Sequence, residues 1–203
     1  MNGVNLPDAI LGKCGVAVLG VGTILHVVGL ATVEWTVFNA DSVFKTDSVE
    51  IKYGLWKICT SDKCVGIIGN NFEFRDYFED FDDRATFLQN RSPDVSALKA
   101  SEACAILGML ASFVATAVAA GRIAMPMLGM STKYLFPFIP LAASMTSFVF
   151  ILVAVIVWAL RVHTRLVCTY GLDTSIGYSF ILCLVAGILI NIGGVLGVLD
   201  KKA

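Results

Sequence analysis

Trp35, followed by Gly54-Leu55-Trp56-Lys57-Ile58-Cys59-Thr60-Ser61-Asp62-Lys63-Cys64, decides how this chain is read. The stretch follows one apolar run, Leu11 to Val33, and precedes three more, Ala103 to Ala120, Leu135 to Leu160 and Ile176 to Leu199. A helix of ~20 residues rises about 30 Å and crosses a hydrocarbon core. The four runs therefore predict a four-helix transmembrane bundle, with helices over about 11–33, 103–120, 135–160 and 176–199. Between them lie a large polar loop, 36–99, a connection at 121–134 on the other side, and a second loop, 161–175, on the side of the first.

Composition points to the same class. Of 203 residues, 57% are apolar and only 15% charged, where soluble domains carry about 25% charged residues, and the mean hydropathy is +0.78. Lys13, at the edge of the first run, can snorkel to the interface. Glu34, Glu102 and Arg161 read as helix ends. No Asp, Glu, Lys or Arg falls mid-span, where each would cost about 2.5–3.5 kcal/mol on insertion scales. That argues against a pump or an ion-coupled carrier. The first run exceeds the ~7–15 residues of a signal-peptide core and leads into Glu34-Trp35 rather than a small-residue cleavage site, so it is expected to remain as a helix.

Four spans place both termini on one side. Lys13, Arg122, Lys133, Lys201 and Lys202 lie on the terminal side, against Arg161 and Arg165 in the short second loop. This modest positive-inside bias predicts cytoplasmic termini and an extracellular large loop. Within that loop, Glu50-Ile51-Lys52-Tyr53 and Val65-Gly66-Ile67-Ile68, separated by Gly and Asp-rich breaks, predict short strands. Cys59 and Cys64 flank four residues of turn-forming composition, and a hairpin there brings their Cα atoms within bonding range. A disulfide is expected. The alternatives are two free thiols or a metal pair, and a metal would want two further Cys or His ligands that the loop lacks.

The order Trp35, Gly54-Leu55-Trp56, Cys59, Cys64 after the first span resembles the signature of the claudin superfamily. That family comprises the claudins, the peripheral myelin and epithelial membrane proteins, the lens fibre tetraspan protein and the calcium-channel gamma subunits. The resemblance implies a single claudin-like tetraspan domain over 1–203, in which the large loop and part of the second outer loop form an antiparallel sheet over the outer helix ends. It also implies that the Trp and Gly-Leu-Trp residues anchor this sheet near the membrane surface, a place suited to an apolar ring with one N–H donor. In typical claudins the second Cys comes several residues later. Gly54-Leu55-Trp56-Lys57-Ile58-Cys59-Thr60 and Gly177-Tyr178-Ser179-Phe180-Ile181-Leu182 look more like the epithelial membrane protein branch.

Further features fall outside that signature. Phe74, Phe78 and Phe81 recur at i, i+4 and i+7 and predict an amphipathic helix. Its acids Glu79, Asp80, Asp82 and Asp83 are read as solvated, with a weak Ca²⁺ or partner site as the alternative. Asn90-Arg91-Ser92 is a candidate glycosylation sequon at Asn90 on the outer side, followed by an unfavourable Pro93. Cys104 and Cys168 could pair with each other, cross-link copies or remain thiols. Cys14, at the cytoplasmic edge of the first span, fits either palmitoylation or a packed thiol. Small residues at Cys104, Gly108, Ser112, Thr116 and Ala120, and the GxxxG of Gly193 and Gly197, predict close helix packing, within the chain before any homodimer. His26 and Asn191 are expected to hydrogen-bond between helices.

No catalytic, cofactor-binding or metal-ligating residues are assigned: the chain shows no nucleophile triad, metal cluster or phosphate-cradling loop. No cofactor is implied, and a net charge of -1 without a basic patch argues against nucleic acid. Function is expected to reside in surfaces of a non-enzymatic plasma-membrane protein. The resemblance implies a role in cell–cell contact, junctions or membrane organisation through the outer sheet, with self-association in cis or trans. The alternative is an auxiliary, gamma-like subunit of an ion channel or receptor. Ending at Asp200-Lys201-Lys202-Ala203, the chain shows no PDZ-binding tail of the kind claudins carry. Were the protein to line a paracellular path, eight bases against eleven acids in the large loop would favour cations.

Overall fold

The computed structural model describes residues 6–39, 50–59, 64–66, 95–129, 138–164 and 174–199. Along the chain these form α1 (Leu6–Ala31), β1 (Thr36–Asn39), β2 (Glu50–Tyr53), β3 (Lys57–Cys59), β4 (Cys64–Gly66), α2 (Val95–Met127), α3 (Phe138–Val157), β5 (Thr174–Ile176) and α4 (Tyr178–Leu199). A π-helical turn, Trp158–His163, prolongs α3. Four helical stretches, Leu11–Ala31, Ser96–Met125, Phe138–His163 and Tyr178–Leu199, are long and apolar enough to cross a bilayer. The chain is a multi-pass membrane protein with a small antiparallel sheet.

The helix bounds depart from those hydropathy predicts: α1 stops at Ala31, leaving Thr32 and Val33 outside it, and α4 starts at Tyr178 because Ile176 pairs in β5, while the start of α1 and both ends of α2 lie beyond the expected ones. α2 begins at Val95 rather than near 103 and ends at Met127 rather than 120; its 33 residues rise about 50 Å against a hydrocarbon core of ~30 Å. The added Ser-Ala-Leu-Lys-Ala-Ser-Glu turn is polar enough to read as loop, yet Ala, Leu, Lys and Glu favour helix, and its Ala97 and Leu98 are buried. Glu102 therefore sits inside a helix rather than at its end. α1 starts at Leu6, and residues 161–164 of the expected second loop are still helical. The expected helix at 74–81 and its acids, Asn90 and Cys168 lie outside the described residues.

Two compact units divide the chain, 1–28 with 104–153 and 182–203, and 29–103 with 154–181. The first is a helical bundle in which each helix meets its neighbours through small or hydroxyl residues. Along α1 and α4 the backbones themselves approach. A Cβ on Gly15 would lie 3.0 Å from the Gly197 amide nitrogen, one on Gly22 2.9 Å from Ile190 Cγ1, and one on Gly193 2.8 Å from the Leu19 amide nitrogen. Gly193 thus packs as the GxxxG predicts, whereas a Cβ on Gly197 would meet nothing within 4 Å. Gly197 serves by the exposure of its backbone to Gly15.

The other seams of the bundle combine a small residue with a hydroxyl. Ser147 Oγ donates to the Gly108 carbonyl at 2.8 Å, joining α3 to α2, and a Cβ on Gly108 would lie 3.0 Å from Ile151 Cγ1. Thr23 and Thr116 join α1 to α2 by a hydroxyl pair at 3.0 Å. Gly194 and Gly187 of α4 admit Ser144, and Phe148 with Ile151, of α3. Ser112 is fully buried as expected, but its hydroxyl turns back onto the Met109 carbonyl of its own helix at 2.7 Å. At the bundle's far end Arg122 reaches the Gly197 carbonyl, one of the last acceptors of α4, at 3.4 Å.

In the second unit five strands lie in the order β4-β3-β2-β1-β5, every neighbouring pair antiparallel. β2 matches its predicted bounds and alternates as a half-buried strand should: Ile51 and Tyr53 are buried, Glu50 is exposed and Lys52 half-buried. Tyr53 opposes Ile58 of β3, and both are at most 1% exposed. β5 brings a piece of the second loop against β1, pairing Thr36 with Ile176 and Phe38 with Thr174.

Candidate functional site: the tryptophan junction

The second unit contains the end of α1, and that end is where the sequence signature assembles. A helix leaves its last carbonyls without intrahelical partners, and near a bilayer each unmet group is costly. Trp35 Nε1 donates to the Gly29 carbonyl at 3.0 Å, and Trp56 Nε1 to the Leu30 carbonyl at 2.7 Å. Thr32 Oγ1 adds a second donor to Gly29 at 3.3 Å. Two indoles and one hydroxyl thus cap α1 in place of the usual glycine motif.

Gly54-Leu55-Trp56 is the tip of the β2–β3 hairpin. Gly54 and Lys57 close it with a 2.9 Å bond from the Gly54 amide to the Lys57 carbonyl, leaving Leu55 and Trp56 as a two-residue loop. Each residue has a separate task. A Cβ on Gly54 would lie 2.7 Å from the Val33 Cα, so only glycine lets the hairpin lie on the chain leaving α1. Leu55 is fully buried, and Trp56 supplies the capping donor.

The junction also secures the start of α4. Ser179 in its first turn donates its amide to the Glu34 carbonyl at 3.0 Å and accepts the Glu34 amide on Oγ at 3.1 Å. The Gly177 amide donates to the Trp35 carbonyl at 3.1 Å, and the Trp35 amide to Tyr53 at 3.1 Å. A Cβ on Gly177 would run into the Glu34 carbonyl. The Gly177-Tyr178-Ser179-Phe180 start is therefore shaped to receive residues 34 and 35.

Around this backbone splice the aromatic rings form one cluster. Trp35, 1% exposed, stacks at a tilt on Trp158 with centroids 5.1 Å apart and meets Phe180 edge-on at 6.1 Å. Tyr53 lies 5.8 Å from Trp158. Trp158 opens the π-helical turn and donates Nε1 to Thr36 Oγ1 at 3.0 Å; the same hydroxyl lies 3.3 Å from His163 Nδ1. The widened turn lets Trp158 and His163 reach one hydroxyl from the same helix end. Ser101 Oγ fastens α2 to α3 beside it through the Ala154 carbonyl at 2.9 Å.

Trp35, Gly54, Leu55, Trp56 and, within Gly177–Leu182, Phe180 stand in motifs visible in the sequence, whereas Thr36, Trp158 and His163 do not. Nothing in an apolar run distinguishes Trp158 from a lipid-facing ring, and a π turn has no breaker residue to announce it. Gly177 and Ser179 lie in the segment whose resemblance was noted, and their role is now physical.

The remaining predicted residues are placed as follows. Cys59 and Cys64 face each other across β3 and β4 and form the disulfide, with Cα atoms 4.1 Å apart. Lys52 on the outer side of β2 bonds Glu34, with Glu50 at 3.9 Å. The hydrogen bond to Glu34, opposed by partial burial, holds the Lys52 ammonium above its ordinary pKa. Cys14 is an exposed thiol, Cys104 a half-buried one, and Cys183, which sequence reading passed over, a buried one. His26 and Asn191 differ from expectation: His26 Nδ1 and Asn191 Oδ1 are buried with no hydrogen-bond partner among the described residues. The hydroxyls of Ser112, Thr116, Ser144 and Ser147 donate to backbone carbonyls instead. No protein-family model matches the chain, and no curated protein matches it.

Proposed function

We propose that this chain is a non-enzymatic membrane protein of claudin-like type. In this reading the sheet stands outside the cell, both termini are cytoplasmic, and the sheet meets copies of itself or other proteins where plasma membranes touch. One observation supports it above the others. The residues that carry the family resemblance are the ones that tie the sheet to a membrane helix, through Trp35 and Trp56 on the α1 carbonyls and the Gly54 tip on the Val33 backbone. A binding surface on a membrane protein needs such a fixed base, because a module ordered only on contact would lose affinity to its own ordering entropy.

The test uses two differently coloured versions expressed in separate non-adherent cell populations, which are then mixed and imaged. Enrichment of both colours at contacts between expressing cells, and not at contacts with bare cells, is the expected result. Uniform distribution at those contacts would overturn the adhesive reading and point to packing against a channel or receptor in the same membrane, to be sought by mild-detergent pull-down.

A further inference from the structure

Among the described residues of the bundle, most of the small hydroxyls turn their hydrogens onto backbone carbonyls. Ser112, Thr116, Ser144 and Ser147 donate their hydroxyl hydrogens to the carbonyls of Met109, Ser112, Leu141 and Gly108. Since Thr116 is committed to Ser112, the 3.0 Å pair with Thr23 is donated by Thr23. On the α1–α2 seam this leaves lone pairs on Thr23 Oγ1 and Ser112 Oγ with no described donor. His26, three residues beyond Thr23 on α1, is 1% exposed, with Nδ1 buried and without a described partner.

The seam also sets these groups on facing sides of α1 and α2. His26 follows Thr23 by three residues on α1 and so shares its face. On α2, Gly108 faces the His26 ring, since a Cβ there would lie 3.4 Å from His26 Cε1, and Thr116 faces Thr23. Ser112 lies one turn from each, between them. An unmet polar group in a membrane interior is costly, and neither tautomer of His26 resolves the imbalance from protein atoms alone.

We propose that the α1–α2 seam holds one water molecule, bonded to His26 Nδ1 and to the hydroxyl oxygens of Thr23 and Ser112. Water fits because it needs two to four polar partners and can donate to the free lone pairs while serving Nδ1 as either donor or acceptor. The inference does not depend on the contact role proposed above.

The chain has two histidines, which makes ring labelling selective. Full-length protein with ¹⁵N,¹³C-histidine, reconstituted in phosphatidylcholine bilayers, would be examined by solid-state NMR with magnetisation starting on water; His26→Phe identifies the signal. The expected result is rapid transfer from water to the His26 ring, a hydrogen-bonded Nδ1 shift, and loss of much of that transfer in Ser112→Ala while the ring signal remains. Transfer no faster than to the Ile151 methyl groups would overturn the proposal, whether Nδ1 then shows an unbonded shift or a bond to a protein donor. Transfer that Ser112→Ala and Thr23→Val both leave unchanged would overturn the assigned site.

Discussion

Each unit is held together internally by means opposite to the other's. In the bundle, contact comes from what is missing: Gly15, Gly22, Gly193 and Gly194 let helices touch, and small hydroxyls turn onto nearby carbonyls. In the sheet unit, contact comes from large rings: Trp35, Tyr53, Trp158 and Phe180 cluster, and the indoles of Trp35, Trp158 and Trp56 each also donate a hydrogen bond. The solvent explains the contrast. Lipid tails are as apolar as leucine, so helices gain from close backbone approach rather than from burying large side chains. Where the chain leaves the hydrocarbon, apolar burial regains its driving force, and helix ends present unmet groups that an indole can satisfy while covering surface.

The contrast predicts that truncation harms the sheet unit most and enlargement harms the bundle most. Trp35→Ala should cost about 3–5 kcal/mol, and Trp35→Phe, which leaves the Gly29 carbonyl without its indole donor, about 1–3 kcal/mol. Both are measurable by denaturing-detergent titration in mixed micelles. An equal cost for the two would mean that the hydrogen bond, not the ring, dominates. Gly193→Val should cost about 1–3 kcal/mol by overpacking, whereas Gly197→Ala, whose Cβ meets open space, should stay within about 0.5 kcal/mol. If the two glycines respond alike, the α1–α4 seam is not built by close approach.

Smaller effects sharpen the picture within the sheet. Replacing Cys59 and Cys64 together by Ser should cost about 2 kcal/mol, as a short loop constrains the unfolded chain only modestly. The loss should appear as weaker hydrogen-exchange protection of β3 and β4. The Lys52–Glu34 pair, partly exposed at 34% and 21%, should contribute under about 1 kcal/mol. Because the bond raises the folded pKa of Lys52, its contribution is complete below the unfolded lysine value of about 10.4. It is lost as pH rises through the raised value. The melting temperatures of wild type and Lys52→Met should accordingly differ near neutrality and converge in strong alkali.

What could be read from sequence follows the same division. Four spans, the β2 strand and the disulfide were legible because each depends on local composition or on a spaced pattern, and the Trp and Gly-Leu-Trp anchors were expected only through the family resemblance. Helix ends were less so, since Ser96 to Glu102 is polar by hydropathy and helical by propensity. Trp158, Thr36 and His163 were not legible at all. Their meeting depends on a π turn and on a sheet register that join residues more than a hundred positions apart. In the bundle, the Gly193 contact was legible as half of a GxxxG, but Gly15 and Gly22 were not singled out, since a glycine in an apolar helix shows its partner only in three dimensions. His26 and Asn191 were expected to find partners across helices, but His26 Nδ1 and Asn191 Oδ1 have none among the described residues, and the hydroxyls of Ser112 and Ser147 donate to carbonyls.

Two indole N–H groups on the terminal carbonyls of α1 hold the sheet in place. Hydrogen exchange by mass spectrometry on Trp35→Phe/Trp56→Phe, compared with wild type in the same nanodiscs, tests this directly. The account predicts that β1, β2 and β3 lose protection while peptides from 104–127 and 182–199 keep theirs. Unchanged protection in the strands, or equal loss in strands and bundle, would contradict it.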